Sequence, residues 1–369
     1  MTSIFGKGYR KKKPPKSRSY FLTVPLRANK KIMYIKRNIR FSIILRFAWQ
    51  YLIFFSLWSA LVVWYYHHMD HHDVNIAIPF LPLSTIGIAV AFYIGFKNNA
   101  SYDRFWEARK IWGGIVNYSR TWGNQVISFI GNGFNESVSK EEVYEIHKTM
   151  IYRHIAWLNA LRLQLREPSS FSPRHKSSVK SLTIGSPERK HWDEEVGGLL
   201  FNDDYNCLIE MKNTATQLVR QQGEQLKNLY HDQKLTDDFR HVELMKTLEE
   251  FYNLQGKCER IKNTPFPRQY AFFSKIFTWI FIMLLPFGLV GQFADMGHSF
   301  IWLTVPFAVL ISWIFYTMET VGDNSEDPFE NFVNDVPMTA LCRTIEIDMR
   351  QMLGETDLPP KIAPVKDIL

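Results

Sequence analysis

The 369-residue sequence lacks the usual signatures of a soluble enzyme. Its three cysteines, Cys207, Cys258 and Cys342, are widely spaced, so neither a disulfide framework nor a zinc site is predicted. It contains no glycine-rich phosphate loop and no serine or cysteine nucleophile motif. Alternating strand patterns and internal repeats are missing too. These absences argue against an enzyme, a resident cofactor and a β fold.

Acidic residues are missing from the N-terminal part of the chain. None precedes Asp70, whereas 13 Lys and Arg residues lie between Lys7 and Arg40. Such a basic arm can bind nucleic acid, but this one runs directly into an apolar segment. We therefore interpret it as a cytoplasmic flank that follows the positive-inside rule, and we expect no nucleic-acid partner. The first 40 residues are also too charged to hold the apolar region of a cleavable signal peptide.

Four long runs carry almost no charge, and a helix needs about 20 apolar residues to cross a bilayer core about 30 Å thick. The runs are residues 41–66 (one arginine), 76–96, 276–293 and 300–318. The loops 67–75 and 291–299 lack Lys and Arg, whereas basic residues follow residue 96. The pattern predicts four transmembrane helices with both termini in the cytoplasm, and the lipid bilayer as a partner.

The remaining sequence is predicted to be helical and cytosolic, because apolar residues recur there at spacings of three and four. The predicted cytosolic helices are residues 101–126, 141–166, 206–229 and 237–262. Residues 166–190 are rich in Ser, Pro, Lys and Arg and predict a mobile surface loop. The fold class is therefore all-α. Its predicted parts are an arm (1–40), two transmembrane helices (41–96), a cytosolic domain (97–275), two transmembrane helices (276–318) and a C-terminal cytosolic region (319–369).

The second apolar run differs from the others because small residues alternate with bulky ones between positions 87 and 96. Ile88, Phe92 and Phe96 are spaced by four and form one stripe along a helix. Several copies around one axis would turn this stripe into rings that gate by dewetting. A stripe of this kind is also typical of ordinary helix packing, and one helix alone cannot make a pore.

The segment that follows this run, residues 98–113 (NNASYDRFWEARKIWG), resembles the signature of the bestrophin family. Further matches follow in the same order as in the family: residues 154–157, 161–166, 258–261, 263–267, 327–329, 334–335 and 342–346. They extend from about Arg37 to Gly354, and the chain looks closest to the bacterial branch.

The resemblance implies a homopentamer with a central ion pathway in a bacterial cell membrane. The family's hydrophobic neck aligns with Ile88, Phe92 and Phe96, and its cytosolic constriction falls near Val242. Just below the neck, Asn98 and Asn99 offer amide donors to a passing anion. The implied function is a passive channel for chloride and similar monovalent anions. A sodium-selective channel of the same fold and an alternating-access transporter stay open as alternatives.

Animal bestrophins carry a calcium clasp made from consecutive acidic residues after an Asn-Pro-Phe or Asp-Pro-Phe motif. Here the acidic run is missing, although Asp323, Glu326, Asp327, Glu330 and Asp335 supply single carboxylates. Calcium prefers six to eight oxygen ligands, so we expect no high-affinity calcium clasp. These acids are expected to cap helices and to pair with arginines.

One further pattern allows a different interpretation, a metal-dependent membrane enzyme. Histidines and aspartates cluster in the loop after the first apolar run: His67, His68, Asp70, His71, His72 and Asp73. The pattern is ligand-like, but no supporting shell of residues is recognisable. We predict a solvated interfacial loop and no functional metal.

Overall fold

The computed structural model describes residues 41–70, 76–131, 137–167, 189–200, 202–231, 235–331 and 335–362. Every regular element within these ranges is helical, which confirms the predicted all-α fold. The predicted basic arm (1–40) and most of the predicted surface loop (168–188) lie outside the described residues.

The described chain forms ten α-helices and two short 3₁₀ helices. The α-helices are α1 (Phe41–Asp70), α2 (Phe80–Phe129), α3 (Lys140–Arg166), α4 (Arg189–Glu195), α5 (Asn202–Ile209), α6 (Thr214–His231), α7 (Asp238–Asn263), α8 (Arg268–Asp295), α9 (Thr304–Asn324) and α10 (Met338–Met352). The 3₁₀ helices are Gly197–Leu199 and His298–Leu303.

Four helical segments are long and apolar enough to cross a membrane, as predicted: α1, α2, α8, and α9 with the 3₁₀ turn before it. The helix α8 packs against both α2 and α9, and α1 lies mainly on α9. Gly87 of α2 meets the ring of Phe281, and Gly288 of α8 meets the side chain of Leu83. Small residues at these crossings let the helix backbones approach closely.

Prolines lie in the apolar parts of α2 and α8. Pro82 lies in the first turn of α2, where its missing N–H breaks no helical bond. Pro286 lies inside α8. Next to it, the Met283 carbonyl accepts a hydrogen bond from Trp58 Nε1 at 3.2 Å, and the Phe287 carbonyl accepts one from the Ile78 amide at 3.1 Å.

The helix α2 is longer than predicted. Residues 76–96 and 101–126 were expected to form two helices, but one helix of 50 residues, Phe80–Phe129, covers both. At 1.5 Å per residue it is about 75 Å long, more than twice a bilayer core. At the joint, residues 97–100, Lys97 and Asn98 contact α9, as described below.

The prediction of one helix over residues 206–229 is wrong. The structure has two helices there, α5 and α6, separated by a turn at residues 210–213. Asn213 caps α6: its side-chain oxygen accepts a hydrogen bond from the Thr216 amide at 3.0 Å. A capping asparagine satisfies an amide that lacks a helical partner. The predicted helices 141–166 and 237–262 agree with α3 and α7.

The second half of α2 lies in a large core together with α3, α6, α7 and α10. The largest fully buried rings of this core are Trp112, Trp122, Trp157, Phe251 and Phe329. Truncating a buried ring of this size to alanine typically costs about 3–5 kcal/mol. The same helix therefore joins the apolar four-helix part to this core.

Candidate functional site

The stripe predicted on the first half of α2 is exposed along its whole length. The exposed fractions are 72% for Ile88, 68% for Phe92 and 58% for Phe96. The rings of Phe92 and Phe96 stack edge to face, with centroids 4.5 Å apart at an interplanar angle of 85°. The three side chains thus form one continuous apolar surface, which we call the α2 ridge.

The opposite side of the same helix is buried. Leu83, Val90 and Ile94 contact α8 and α9 in a compact apolar cluster. The α2 ridge is therefore not part of the packing within the chain. An apolar surface of this kind normally lies against lipid, against another protein surface or along a pathway.

The exposed face of α2 continues below the α2 ridge with a different chemistry. Asn99, Asp103, Lys110 and Asn117 are exposed at helical spacing there. Asp103 and Lys110 have no salt-bridge partner among the described residues, whereas Arg120 on the same half of α2 pairs with a carboxylate. The apolar surface thus gives way to a polar face with hydrogen-bond donors.

The predicted pair Asn98 and Asn99 is separated by the structure. Asn99 is exposed on the same face as Phe92. Asn98 instead turns toward α9, where its Nδ2 donates to the Met318 carbonyl at 3.1 Å. Its side chain also contacts Gly322, where a larger residue would clash. Of the two amides, Asn99 alone lies on the face of the α2 ridge.

Val242 lies near the far end of α2. It is 50% exposed on α7, which runs antiparallel to the second half of α2. The Thr247 hydroxyl donates to Gln125 Oε1 at 2.7 Å, and the Arg240 guanidinium lies 5.9 Å from the ring centroid of Phe129. Val242 is therefore about 50 Å from Phe96 along the axis of α2.

The acidic segment after α9 is paired with basic side chains within the described residues. Glu326 lies 3.3 Å from Arg268, and Glu330 lies 3.4 Å from Lys262. Arg166 donates to the Asn331 side chain at 3.0 Å. Burial and the neighbouring Arg162 lower the pKa of Arg166, which stays protonated at neutral pH. The Glu326–Arg268 pair is of the kind expected from the sequence, whereas Glu330 pairs with a lysine. These contacts connect the segment to α3, α7 and α8.

The histidine cluster that begins in the last turn of α1 is only partly described. His71, His72 and Asp73, and the side chain of Asp70, lie outside the described residues. The His67 ring lies 5.4 Å from that of His298, and the His68 ring stacks on Trp64. No group of three or more possible metal ligands occurs among the residues that the structure describes.

A cluster of charged side chains behind the α2 ridge was not predicted from the sequence. The Lys97 ammonium is 2.5 Å from Glu319 Oε1 and 2.5 Å from Asp323 Oδ1. The Ser274 hydroxyl donates to the other Glu319 oxygen at 2.5 Å. A lysine between an apolar run and a polar segment predicts a solvated flank, so its sequence position did not suggest burial.

Comparison with known proteins identifies relatives for most of the chain. It is 29% identical to the voltage-dependent anion channel-forming protein YneE of Escherichia coli over 301 residues, which are 82% of this chain and 84% of that protein. It is 28% identical over 316 residues to the voltage-dependent anion channel-forming protein mll4386 of Mesorhizobium japonicum, with 85% and 86% of the two chains covered.

The fold is similar to that of solved structures. A bacterial bestrophin homologue from Klebsiella pneumoniae superposes with a TM-score of 0.66 and 25% sequence identity, over 84% of this chain and 98% of that chain. A crystal structure described only as a membrane protein variant gives a TM-score of 0.68 at 25% identity, over 85% of this chain and 100% of that chain. With four apolar helices and these relatives, the chain is a membrane protein. The profile of the family described as bacterial/fungal bestrophin protein matches residues 25–351, so the chain belongs to the bacterial and fungal bestrophin family.

Proposed function

We propose that this protein is a homopentameric channel that conducts chloride and other small monovalent anions passively across the bacterial cell membrane. The observation that carries the proposal is the exposed α2 ridge, Ile88, Phe92 and Phe96, on a helix whose other side is buried. Five copies around one axis turn this surface into three apolar rings, the neck of the channel. Family membership and the names of the relatives support the same function.

The neck acts by controlling hydration. A bare ion in an apolar environment is strongly destabilised, so ions cross only while water fills the rings. A narrow apolar constriction empties of water easily, and a small change in its width therefore gates conduction. The edges of the Phe92 and Phe96 rings carry partial positive charge and tolerate an anion better than a cation.

The charge below the neck favours anions. Between residues 99 and 129, α2 carries four Lys and Arg residues and two acidic residues. Glu107 is paired with Arg260 and Arg120 with Asp348. The charges that remain on this part of α2 are positive at Arg104, Arg109 and Lys110 and negative at Asp103. Arg104 donates hydrogen bonds to the backbone carbonyls of Glu326, Ile261 and Thr264. The Asn99 amide adds a hydrogen-bond donor close to Phe96.

We also assign roles to Val242, to the cytosolic part of the chain and to the acidic residues near the end of α9. Val242 forms a second, cytosolic aperture at the far end of the pathway. Both termini and the core around Trp112 and Trp157 lie in the cytoplasm, as loop charges predict. No high-affinity calcium clasp is assigned, because three of the acids that would bind a cation, Asp323, Glu330 and Glu326, contact Lys97, Lys262 and Arg268 respectively.

A sodium-selective channel of the same architecture is the second candidate. The observation that favours it is Asp103, the acidic residue nearest to Phe96 on the exposed face of α2, which has no salt-bridge partner among the described residues. A ring of five carboxylates there would attract cations.

The decisive experiment is the reversal potential of the purified protein in a planar bilayer with a KCl gradient. An anion channel reverses close to the chloride equilibrium potential, and a cation channel reverses close to that of potassium, with opposite sign. Absence of current in bilayers, together with absence of chloride flux in liposomes of the same preparation, would overturn the channel function itself.

A further inference from the structure

A buried charge cluster links three helices directly behind the α2 ridge. Lys97 of α2 is 1% exposed, and its ammonium contacts Glu319 and Asp323 of α9. Ser274 of α8 donates to Glu319 as well. Lys97, Glu319 and Ser274 are all buried, and the Asp323 side chain is 41% exposed at the edge of the cluster.

Stability alone explains such a cluster poorly. The cost of removing an ammonium and a carboxylate from water commonly exceeds their mutual attraction, and apolar residues of similar volume often stabilise a protein equally well. A buried ion pair does, however, specify one relative arrangement of the helices that carry it, because charge and hydrogen-bond geometry must both be satisfied.

The position of the cluster relates it to the neck. Lys97 follows Phe96 directly. It lies nine positions after Ile88, which places its side chain about 180° around the helix from Ile88. The next residue, Asn98, donates to the Met318 carbonyl and contacts Gly322 of α9. The last turns of α9 are thus fastened to α2 at the level where the apolar rings end.

We propose that Lys97 and Glu319 are positioning residues for the neck. Their contact fixes the rotation of α2 relative to α8 and α9, and thereby how far Phe92 and Phe96 project toward the axis. The inference rests on the proposed channel function and adds residues outside the pathway that set its closure. Loss of the contact lets α2 rotate, so the rings fit together less tightly and the closed neck leaks.

The test separates positioning from folding by using an apolar replacement. The variant Lys97→Met with Glu319→Leu removes both buried charges, whereas Lys97→Arg keeps the cation. The matched control is Lys262→Met with Glu330→Leu, a second Lys–Glu pair that is largely buried and joins α7 to the segment after α9. Each variant is purified, its oligomeric size is compared with the wild type, and chloride flux and closed-state current are measured in liposomes and bilayers.

The Lys97/Glu319 double variant is expected to assemble with an unchanged melting temperature, but to raise closed-state current at least threefold. The Lys97→Arg variant and the Lys262/Glu330 control should stay within twofold of the wild type. An assembled double variant with wild-type current would overturn the inference. If the double variant does not assemble, Glu319→Gln decides the question, because unchanged closed-state current in it also overturns the inference. A wild-type protein without any current would contradict the channel function instead.

Discussion

The Thr247 hydroxyl donates a 2.7 Å hydrogen bond to the Gln125 side chain inside the core that joins α7 to α2. This bond sets the antiparallel register of the two helices, and the start of α7 therefore lies beside the last turn of α2. The exposed Val242 is consequently at the end of α2 farthest from the α2 ridge. The two proposed constrictions are well separated along α2, and their substitutions should have separable effects.

Replacing Val242 with alanine is expected to relax size selection at the cytosolic aperture. Five valines become five smaller side chains, so large anions such as gluconate should gain about twofold in permeability relative to chloride. Bi-ionic reversal potentials measure this ratio. Closed-state current should not change, because the neck is untouched. An unchanged permeability ratio would remove Val242 from the pathway.

Replacing Phe92 with alanine is expected to widen the neck. Loss of five phenyl rings enlarges the constriction and makes dewetting harder, so chloride flux should rise by at least about threefold. Ile88→Ala and Phe96→Ala should act in the same direction. The control is Leu57→Ala, which truncates another exposed apolar residue, on α1. Wild-type conductance in the triple variant of Ile88, Phe92 and Phe96 would contradict the neck assignment.

Substitutions of Lys110 and Asp103 should shift ion selectivity in opposite directions. Lys110→Gln removes five positive charges from the proposed vestibule and should lower the anion-to-cation permeability ratio by about twofold, whereas Asp103→Asn should raise it. Both effects should weaken in 1 M salt, where charges are screened within about 3 Å. Lys227→Gln, at an exposed position on α6, is the control. Equal reversal potentials in all variants would place these charges outside the pathway.

The apolar helices could be predicted from the sequence, because a bilayer demands about 20 apolar residues regardless of tertiary contacts. The α2 ridge could be found as well, since a spacing of four places side chains on one face. The burial of Lys97 could not, because it depends on Glu319, which lies 222 positions later in the chain. The break before α6 was missed for a related reason: apolar spacing continues through the turn, and only the side-chain bond of Asn213 marks the cap.

Acidification is expected to destabilise the core through His154. Its ring is fully buried and lies 2.9 Å from the Ser119 hydroxyl. Burial lowers the pKa of His154 to about 3, against a smaller opposing effect of the neighbouring Gln222 side chain. The unfolded chain binds a proton below pH 6.5, whereas the folded chain does not until about pH 3, so stability falls as pH decreases through this window.

At pH 5 the cost of keeping His154 neutral is about 2 kcal/mol. The melting temperature of the detergent-solubilised protein, measured from pH 7.5 to 5, should fall less steeply in His154→Gln than in the wild type. Parallel pH profiles would mean that His154 makes no contribution to the acid sensitivity.

The crossing of α2 and α8 gives a prediction about packing. A methyl group at Gly288 would clash with a terminal carbon of Leu83, whereas one at Gly256, in the middle of α7, meets no atom within 4 Å. Gly288→Ala should therefore lower stability by about 1–3 kcal/mol, because the buried Leu83 must leave its rotamer or the helices must separate. Gly256→Ala should be neutral or stabilising by up to about 1 kcal/mol, since alanine restricts the unfolded chain and favours the helix.

The double variant Gly288→Ala with Leu83→Ala should be less destabilised than the sum of its single variants, because the added methyl occupies space that Leu83 vacates. Melting temperatures of the wild type, Gly288→Ala, Leu83→Ala and the double variant measure this coupling. Strictly additive effects would mean that α2 and α8 do not meet at these two residues. The helix α8 would then have to pack against α2 through a different contact.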